Sequence, residues 1–153
     1  MRLTIVFGLM LLTATVYAAD PAAPVFWSAK ELQQRTAKAK GEVDKTLHRG
    51  VERLLDSATL IYRDGPSEAE AHTDRADFIS IREGQGSIVI GGKMIGGKPT
   101  TPGEIRGASI EGGTRYAVAA GDALYVPVNV PHQFLVEPGQ HFVVTIVKVS
   151  PRP

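Results

Sequence analysis

Residues 121–136 read Gly121-Asp-Ala-Leu-Tyr-Val-Pro127-Val-Asn129-Val-Pro131-His132-Gln-Phe134-Leu-Val136. Glycine and the two prolines bound two short β-prone runs, which is typical of strands joined by a tight connection. In the second run His132, Phe134 and Val136 alternate, so as a strand they share one face. Gln133 is predicted to point to the opposite face, toward the surface. A histidine in register with two apolar residues indicates a polar ligand at the edge of an apolar interior.

A second group of polar side chains lies upstream. Glu70 and His72 are two residues apart, so on a strand both point to the same face. Asp77, Ile79 and Ile81 alternate in the same way, which aims a carboxylate at an apolar interior. Burial of an unpaired carboxylate is expensive, so Asp77 requires a metal, a cation or a hydrogen-bond donor. If these strands and the one described above lie in one barrel, their polar side chains converge near its mouth.

The chain from about residue 54 onward alternates short β-prone runs with turns that contain glycine or proline. Six runs are predicted as strands, namely 58–63, 78–82, 87–90, 123–126, 133–136 and 142–149, with one of the turns at 83–86. Residues 91–113 contain eight glycines and are predicted to form hairpins and exposed loops. Many short strands with no long helix among them favour a β-sandwich or a barrel.

The N-terminal residues have the order of a secretory signal peptide. A basic start at Arg2 is followed by an apolar run and then by small residues that end at Ala18, so residues 1–18 are predicted to be cleaved. The rival interpretation is a membrane anchor, but the uninterrupted apolar core is about ten residues where a span needs roughly twenty. We therefore expect a periplasmic or secreted protein with no membrane association after cleavage.

An N-terminal extension is predicted over residues 19–53, before a barrel over residues 54–149. Ser28 and Glu31 have the spacing of a capping box, which predicts a helix at about residues 29–40. The whole chain of 153 residues is the length of one domain.

Charge and cysteine content exclude several classes of protein. There are 17 Lys and Arg residues against 16 Asp and Glu, and loss of the leader removes one arginine, so the mature domain is neutral. A neutral domain lacks the basic surface that binds nucleic acid. With no cysteine, the protein has no disulfide, no thiolate metal site and no cysteine nucleophile.

The two stretches with polar side chains resemble the two motifs of the cupin superfamily. Residues 121–136 resemble the later motif, and the stretch that contains Glu70, His72 and Asp77 resembles the earlier one. In the later motif Gly121, Pro127 and His132 match, Asn129 stands at the second glycine, and Val136 departs from the final asparagine. Asparagine is among the residues that tolerate left-handed backbone best.

The earlier cupin motif is matched in spacing and altered in chemistry. Gly65 lies one residue nearer than the pattern asks, Glu70 stands where the first histidine belongs, and His72 fits the second. Asp77 replaces the glutamate, and Gly84 follows. The resemblance covers about residues 54–149. It implies an all-β fold, namely a single-domain cupin-like β-barrel (a double-stranded β-helix or jelly roll), with one N-terminal helix.

The cupin resemblance implies a divalent metal held by Glu70, His72, Asp77 and His132. Two imidazoles with carboxylates suit Fe, Mn or Zn. Two alternatives stay open: cupins without metal exist, and Glu70 is also interpretable as an outer hydrogen-bond acceptor or a general base.

Other polar side chains have weaker signals. Tyr62, Arg63 and Arg82 are candidates for contact with a ligand, although ordinary strand positions are the favoured interpretation. His48 and His141 lie outside the motifs and are predicted at the surface or at strand edges.

The sequence leaves three functions open. The favoured one is a metal-dependent enzyme that acts on a small oxygenated organic molecule by dioxygenase, isomerase or lyase chemistry. The alternative is a periplasmic small-molecule binding module with a structural metal or none. The third is an assembly part that only pairs with another subunit. Because cupins are often dimers, a homodimer is expected in each case.

Overall fold

A computed structural model describes residues 23–150, so the predicted signal peptide at 1–18 lies outside the described residues. The described chain forms one helix, α1 (Ala29–Gly41), and twelve strands. The strands are β1 (Arg49–Arg53), β2 (Ala58–Arg63), β3 (Ala69–His72), β4 (Ala76–Ile90), β5 (Lys93–Ile95), β6 (Lys98–Thr101), β7 (Glu104–Gly107), β8 (Ser109–Glu111), β9 (Thr114–Ala119), β10 (Ala123–Val126), β11 (His132–Leu135) and β12 (Phe142–Val149).

Ten strands form one curled antiparallel sheet whose two halves share β4. The first half of β4 pairs with β10 and β12, and β12 continues to β2 and β1. The second half of β4 pairs with β9 and β11, and β11 continues to β3, β7 and β6. The predicted all-β class with one N-terminal helix is confirmed, and the curled sheet has the form expected of the double-stranded β-helix.

The middle of β4 corrects one prediction. Residues 83–86 do not reverse the chain, and the predicted strands 78–82 and 87–90 are one continuous strand. Gly84 has φ +74°, and a Cβ there would lie 2.0 Å from the carbonyl oxygen of His141. A Cβ at Gly86 would lie 2.2 Å from the Phe142 ring. The glycines therefore mark the close approach to β12 at which β4 passes from one half of the sheet to the other.

The main core fills the space between the two halves of the sheet. Alternate residues of each strand point into it, as the period of a strand requires. Its largest members come from both halves: Ile61, Ile79, Ile81, Ile88, Phe134, Phe142, Val144 and Ile146. The alternations predicted for Asp77 with Ile79 and Ile81, and for His132 with Phe134 and Val136, are confirmed, since all six side chains are buried.

Helix α1 covers the outer face of β1 and β2. It begins with the predicted capping box, in which the backbone N–H of Glu31 donates to Ser28 Oγ and that of Ser28 donates to the Glu31 carboxylate. A second apolar cluster of Ala39, Leu60, Tyr62 and Val143 joins helix and sheet. Its position closes one side of the sheet, so the alternate residues of β1 and β2 face the barrel interior.

The glycine-rich stretch forms short hairpins, as predicted. Strand β5 pairs with β8 in a separate two-stranded ribbon, and β6 pairs with β7 at the edge of the main sheet. Of the described residues, no helix is long and apolar enough to span a membrane.

Candidate metal centre

The four predicted ligands come together at one end of the barrel. Glu70 and His72 lie on β3, Asp77 lies near the start of β4, and His132 begins β11 directly opposite Glu70. Asn129 has φ +62°, the left-handed backbone predicted for this motif position, and its N–H donates to the carbonyl oxygen of His72 at 2.7 Å. This hydrogen bond fixes the loop that precedes His132 against β3.

The side chains of these four residues face one another in a buried cluster. His72 Nε2 lies 3.1 Å and His132 Nε2 lies 3.4 Å from Asp77 Oδ2. His132 Nε2 also lies 3.4 Å from Glu70 Oε1. Glu70, His72 and His132 each offer a ligand atom, and these three atoms lie within 4.8 Å of one another. None of the four residues is more than 5% exposed.

The other ring nitrogen of each histidine is anchored. His72 Nδ1 lies 2.7 Å from Glu104 Oε1, and His132 Nδ1 lies 3.3 Å from the carbonyl oxygen of Val130. A proton on each Nδ1 satisfies both acceptors and leaves each Nε2 with its lone pair directed into the cluster. Metal-binding histidines in proteins are held in this way.

Cations occupy the outer oxygens of the carboxylates. Lys148 Nζ lies 2.7 Å from Asp77 Oδ1, and Arg106 Nη1 lies 2.6 Å from Glu70 Oε2. Arg106 also lies 3.1 Å from Glu104, on the same strand. One oxygen of Asp77 and one of Glu70 therefore remain directed at the two Nε2 atoms.

The close contacts between these ionisable groups shift their pKa values. Burial opposes the charged form of His132, but its contacts with the carboxylates of Asp77 and Glu70 outweigh burial and raise the pKa of His132 to about 9. Burial likewise opposes the charged form of His72, whose pKa is nevertheless raised by Asp77 and Glu104. Burial would raise the pKa values of Glu70 and Asp77, yet the neighbouring histidines and cations lower both.

The residues fit a divalent metal. Among the described residues, His72 Nε2, His132 Nε2 and Asp77 Oδ2 have no well-aligned hydrogen bond although all three are buried. With neutral imidazoles, lone pairs of nitrogen and oxygen would face one another at 3.1–3.4 Å. Such an arrangement requires positive charge between the atoms, supplied either by protons on the rings or by a metal ion. Imidazole and carboxylate are ligand types shared by Fe, Mn and Zn sites.

A pocket of about 480 Å³ opens onto the cluster. Its wall contains three of the predicted ligands, namely Glu70, His72 and Asp77, together with Glu104. The rest of the lining consists of apolar side chains, three threonines, Glu68 and five cations, and the cations are Arg49, Arg53, Arg63, Arg106 and Lys148. The pocket is large enough for a small organic molecule to contact the cluster.

The structure corrects the prediction for Gln133. Its side chain is buried, and Nε2 donates to the carbonyl oxygen of Ser67 at 2.8 Å. The alternation was right, but Ser67 and Ala108 lie against the opposite face of β11 there. Of the weaker candidates, Arg63 lines the pocket, Tyr62 packs under helix α1, and Arg82 is exposed.

Sequence reasoning missed three members of the cluster: Glu104, Arg106 and Lys148. Lys148 follows Ile146 by two residues on a predicted strand, so the alternation that identified Asp77 would also have identified it. Glu104 and Arg106 lie on β7, inside the glycine-rich stretch, where no apolar alternation marks a strand. Their place beside His72 and Glu70 follows only from the pairing of β7 with β3.

The solved structures that this chain resembles in fold include proteins named as cupins. A polyketide cyclase from Streptomyces resistomycificus aligns at 19% identity and TM-score 0.48, over 69% of this chain and 68% of its own. A cupin 2 conserved barrel domain protein from Rhodopseudomonas palustris aligns at 20% identity and TM-score 0.42, over 69% and 61%. An oxalate decarboxylase from Lactobacillus farciminis aligns at 12% identity and TM-score 0.43, over 62% of this chain and 24% of its own.

No protein-family model matches the sequence, and no curated protein does. The similarity to the solved structures concerns the fold. Two of these three proteins are named as enzymes. The alignment covers less than two thirds of the cupin 2 protein and about a quarter of the oxalate decarboxylase.

Proposed function

We propose that this protein is a metal-dependent enzyme acting on a small oxygenated organic molecule, by dioxygenase, isomerase or lyase chemistry. Glu70, His72, Asp77 and His132 would hold the ion, which would be Fe, Mn or Zn. The observation that carries the proposal is the convergence of two anchored imidazoles on two carboxylate oxygens, with a pocket alongside. A bound divalent ion would polarise an oxygen atom of the substrate.

The protein's own residues would prepare the site for that ion. Glu104 holds the His72 ring by Nδ1, so that Nε2 is fixed toward the centre. Lys148 and Arg106 each take one carboxylate oxygen and restrict Asp77 and Glu70 to the other. The near-complete burial of the four ligands excludes bulk water and strengthens electrostatic interactions with a substrate in the pocket.

Elemental analysis of protein purified without chelator or affinity-tag metal tests the proposal. We expect near-stoichiometric metal in the wild type and its loss in the His72→Ala, His132→Ala double variant. His141→Ala is the matched control, because His141 is exposed and lies outside the cluster. Metal retained by the double variant, or wild type that takes up none on reconstitution with Fe²⁺, Mn²⁺ or Zn²⁺, would refute the assignment.

The second candidate is a small-molecule binding module with a structural metal or none. The contacts of Lys148 with Asp77 and of Arg106 with Glu70 favour it, because they neutralise both carboxylates without a metal. Two protons on the histidines would then complete the cluster. This candidate predicts that stabilisation by a ligand persists in excess chelator, whereas the enzyme requires the metal for turnover.

Export and dimerisation also belong to the proposal. Cleavage after Ala18 would give a periplasmic or secreted protein, which N-terminal sequencing of the exported form would test. Phe78 and Tyr125 are directly paired on neighbouring strands and are 44% and 54% exposed, which supports a homodimer through this face. Light scattering of the wild type and of a Phe78→Ser, Tyr125→Ser variant would measure it, and a wild-type monomer would exclude the dimer.

A further inference from the structure

The guanidinium of Arg63 is buried in the barrel without an anionic partner. The residue is 1% exposed, and its guanidinium carbon lies 4.7 Å from the centre of the Phe134 ring. Within residues 23–150, Arg63 Nε has no hydrogen bond and no ion pair joins Arg63 to a carboxylate. Glu70 is the acid whose charge acts on Arg63, but Arg106 already binds that carboxylate at 2.6 Å.

The neighbouring strand places a second arginine beside it. Arg49 of β1 lies directly opposite Arg63 of β2, so both side chains share the face that lines the pocket. Burial is the main cause that lowers the pKa of Arg63 to about 10; the charge of Glu70 opposes this shift, and the charges of Arg49 and Arg106 add to it. Arginine side chains carry a positive charge in proteins. Like charges placed directly opposite each other in a sheet are destabilising unless an anion lies between or beside them.

A buried and unpaired charge is rare in folded proteins, because its loss of hydration must be offset. The contact with Phe134 supplies a cation–π attraction but satisfies none of the five N–H donors of the guanidinium. Arg53, which also lines the pocket, lies 3.1 Å from Asp56 and differs from Arg63 in that respect. Arg63 therefore has the hydrogen-bonding capacity for an anion that enters the pocket.

We propose that Arg63 and Arg49 form a subsite for the carboxylate of a small organic acid, on the pocket wall beside the candidate metal centre. The planar fork of a guanidinium matches a carboxylate through two parallel hydrogen bonds. Ile61 and Ile146 line the same pocket and provide apolar contact for the carbon skeleton of the acid. The proposal names the substrate class for this site and to that extent rests on the proposed function.

We choose the planar carboxylate over the phosphate as the anion for this wall. A guanidinium binds either group, but Glu68, Glu70, Asp77 and Glu104 line the same pocket. Their charges repel a doubly charged phosphate more strongly than a singly charged carboxylate. Inorganic phosphate is therefore a discriminating probe as well as a competitor.

The test titrates chelator-treated protein with four probes, namely acetate, propionate, succinate and benzoate. Binding is measured from the NMR signals of each probe. We expect at least one probe to bind wild type and its neutral amide to bind at least tenfold more weakly. Arg63→Gln should lower the affinity for that probe by roughly ten- to a hundredfold, as loss of a charge-assisted hydrogen-bond pair predicts. Arg82→Gln is the matched control because Arg82 is exposed and outside the pocket.

Three results would overturn the subsite: failure of all four carboxylates to bind, equal affinity for acid and amide, or unchanged affinity in Arg63→Gln. Tighter binding of phosphate than of any carboxylate would overturn the choice of anion. Arg63→Lys keeps the charge without the fork, and its affinity should fall between those of wild type and Arg63→Gln. In the absence of probe, Arg63→Gln should unfold at a urea concentration no lower than wild type, which establishes that the variant folds.

The metal content of the same variants separates this proposal from the proposed function. Arg63→Gln should keep the metal that His72→Ala, His132→Ala loses, while the double histidine variant should keep the Arg63-dependent binding of the carboxylate. Wild type that binds the carboxylate but no metal would refute the metal centre and leave the subsite intact. If the wild type binds metal but Arg63→Gln binds the carboxylate as tightly as the wild type does, the subsite alone is refuted.

Discussion

Removal of metal by a chelator is expected to leave a protein whose stability falls as the pH rises toward about 9. In the metal-free cluster, burial opposes protonation of His132, but Asp77 and Glu70 outweigh it and raise its pKa from 6.5 to about 9. The folded state therefore holds this proton more tightly than the unfolded chain does. The resulting stabilisation is fully present below pH 6.5 and is lost as the pH rises through 9.

The size of the effect follows from the difference between the two pKa values of His132. It corresponds to about 3 kcal/mol of unfolding free energy, at 1.36 kcal/mol per pKa unit. For a domain of this length about 1 kcal/mol changes Tm by roughly 3 °C, so Tm should fall by about 10 °C across this range. His72, whose pKa is also raised, acts in the same direction.

Thermal unfolding in excess chelator, at several pH values between about 6 and 9, measures this effect. The metal-loaded protein should behave in the opposite way: the ion competes with the ring protons, so the stabilisation that it adds should increase over the same range. His141→Gln, an exposed substitution, should follow the wild type. A metal-free Tm that stays constant or rises toward pH 9 would show that His132 is not held as a cation between the two carboxylates.

Three other changes have definite expected outcomes. Glu104→Gln should weaken metal binding by roughly 10–100-fold without removing a ligand, because it loosens the His72 ring; a competitive chelator titration measures it. Phe134→Ala should lower the unfolding free energy by about 3–5 kcal/mol in urea, since Phe134 is fully buried in the main core. Gly84→Ala should also destabilise the fold: its φ of +74° alone costs about 1 kcal/mol or more, and its Cβ would in addition lie 2.0 Å from the carbonyl oxygen of His141. Equal urea midpoints for variant and wild type would contradict this.

The sequence predicts best those strands in which the residue types indicate both the strand itself and the face that is buried. Strands β2, β10 and β12 have the predicted bounds, because each is rich in β-prone residues and has a turn with Gly or Pro on at least one side. Two of the four predicted ligands, Asp77 and His132, were identified for a related reason. A polar side chain in register with buried isoleucine or phenylalanine has no ordinary place in a core, so its presence indicates a site.

The strands that the sequence misses depend on their partners. Strand β3 reads Ala-Glu-Ala-His and contains no β-branched residue, so propensity does not predict it; its pairing with β7 and β11 forms it. The same holds for β7, which supplies Glu104 and Arg106. Gln133 shows the converse limit, because alternation gives the face of a side chain but not whether another segment covers that face.

Glu70, which departs from the cupin pattern, lies in contact with Arg106. Glu70 stands where the pattern has a histidine, and Arg106 lies directly opposite it on β7, with Nη1 2.6 Å from Glu70 Oε2. A carboxylate alone would add a full negative charge to the centre, which would tighten the binding of a hard cation. Because the guanidinium offsets that charge, the pair has the net charge of the neutral imidazole that it replaces. Glu70 can therefore offer Oε1 to a metal in the position of a histidine nitrogen, without making the centre more anionic than the pattern from which it departs.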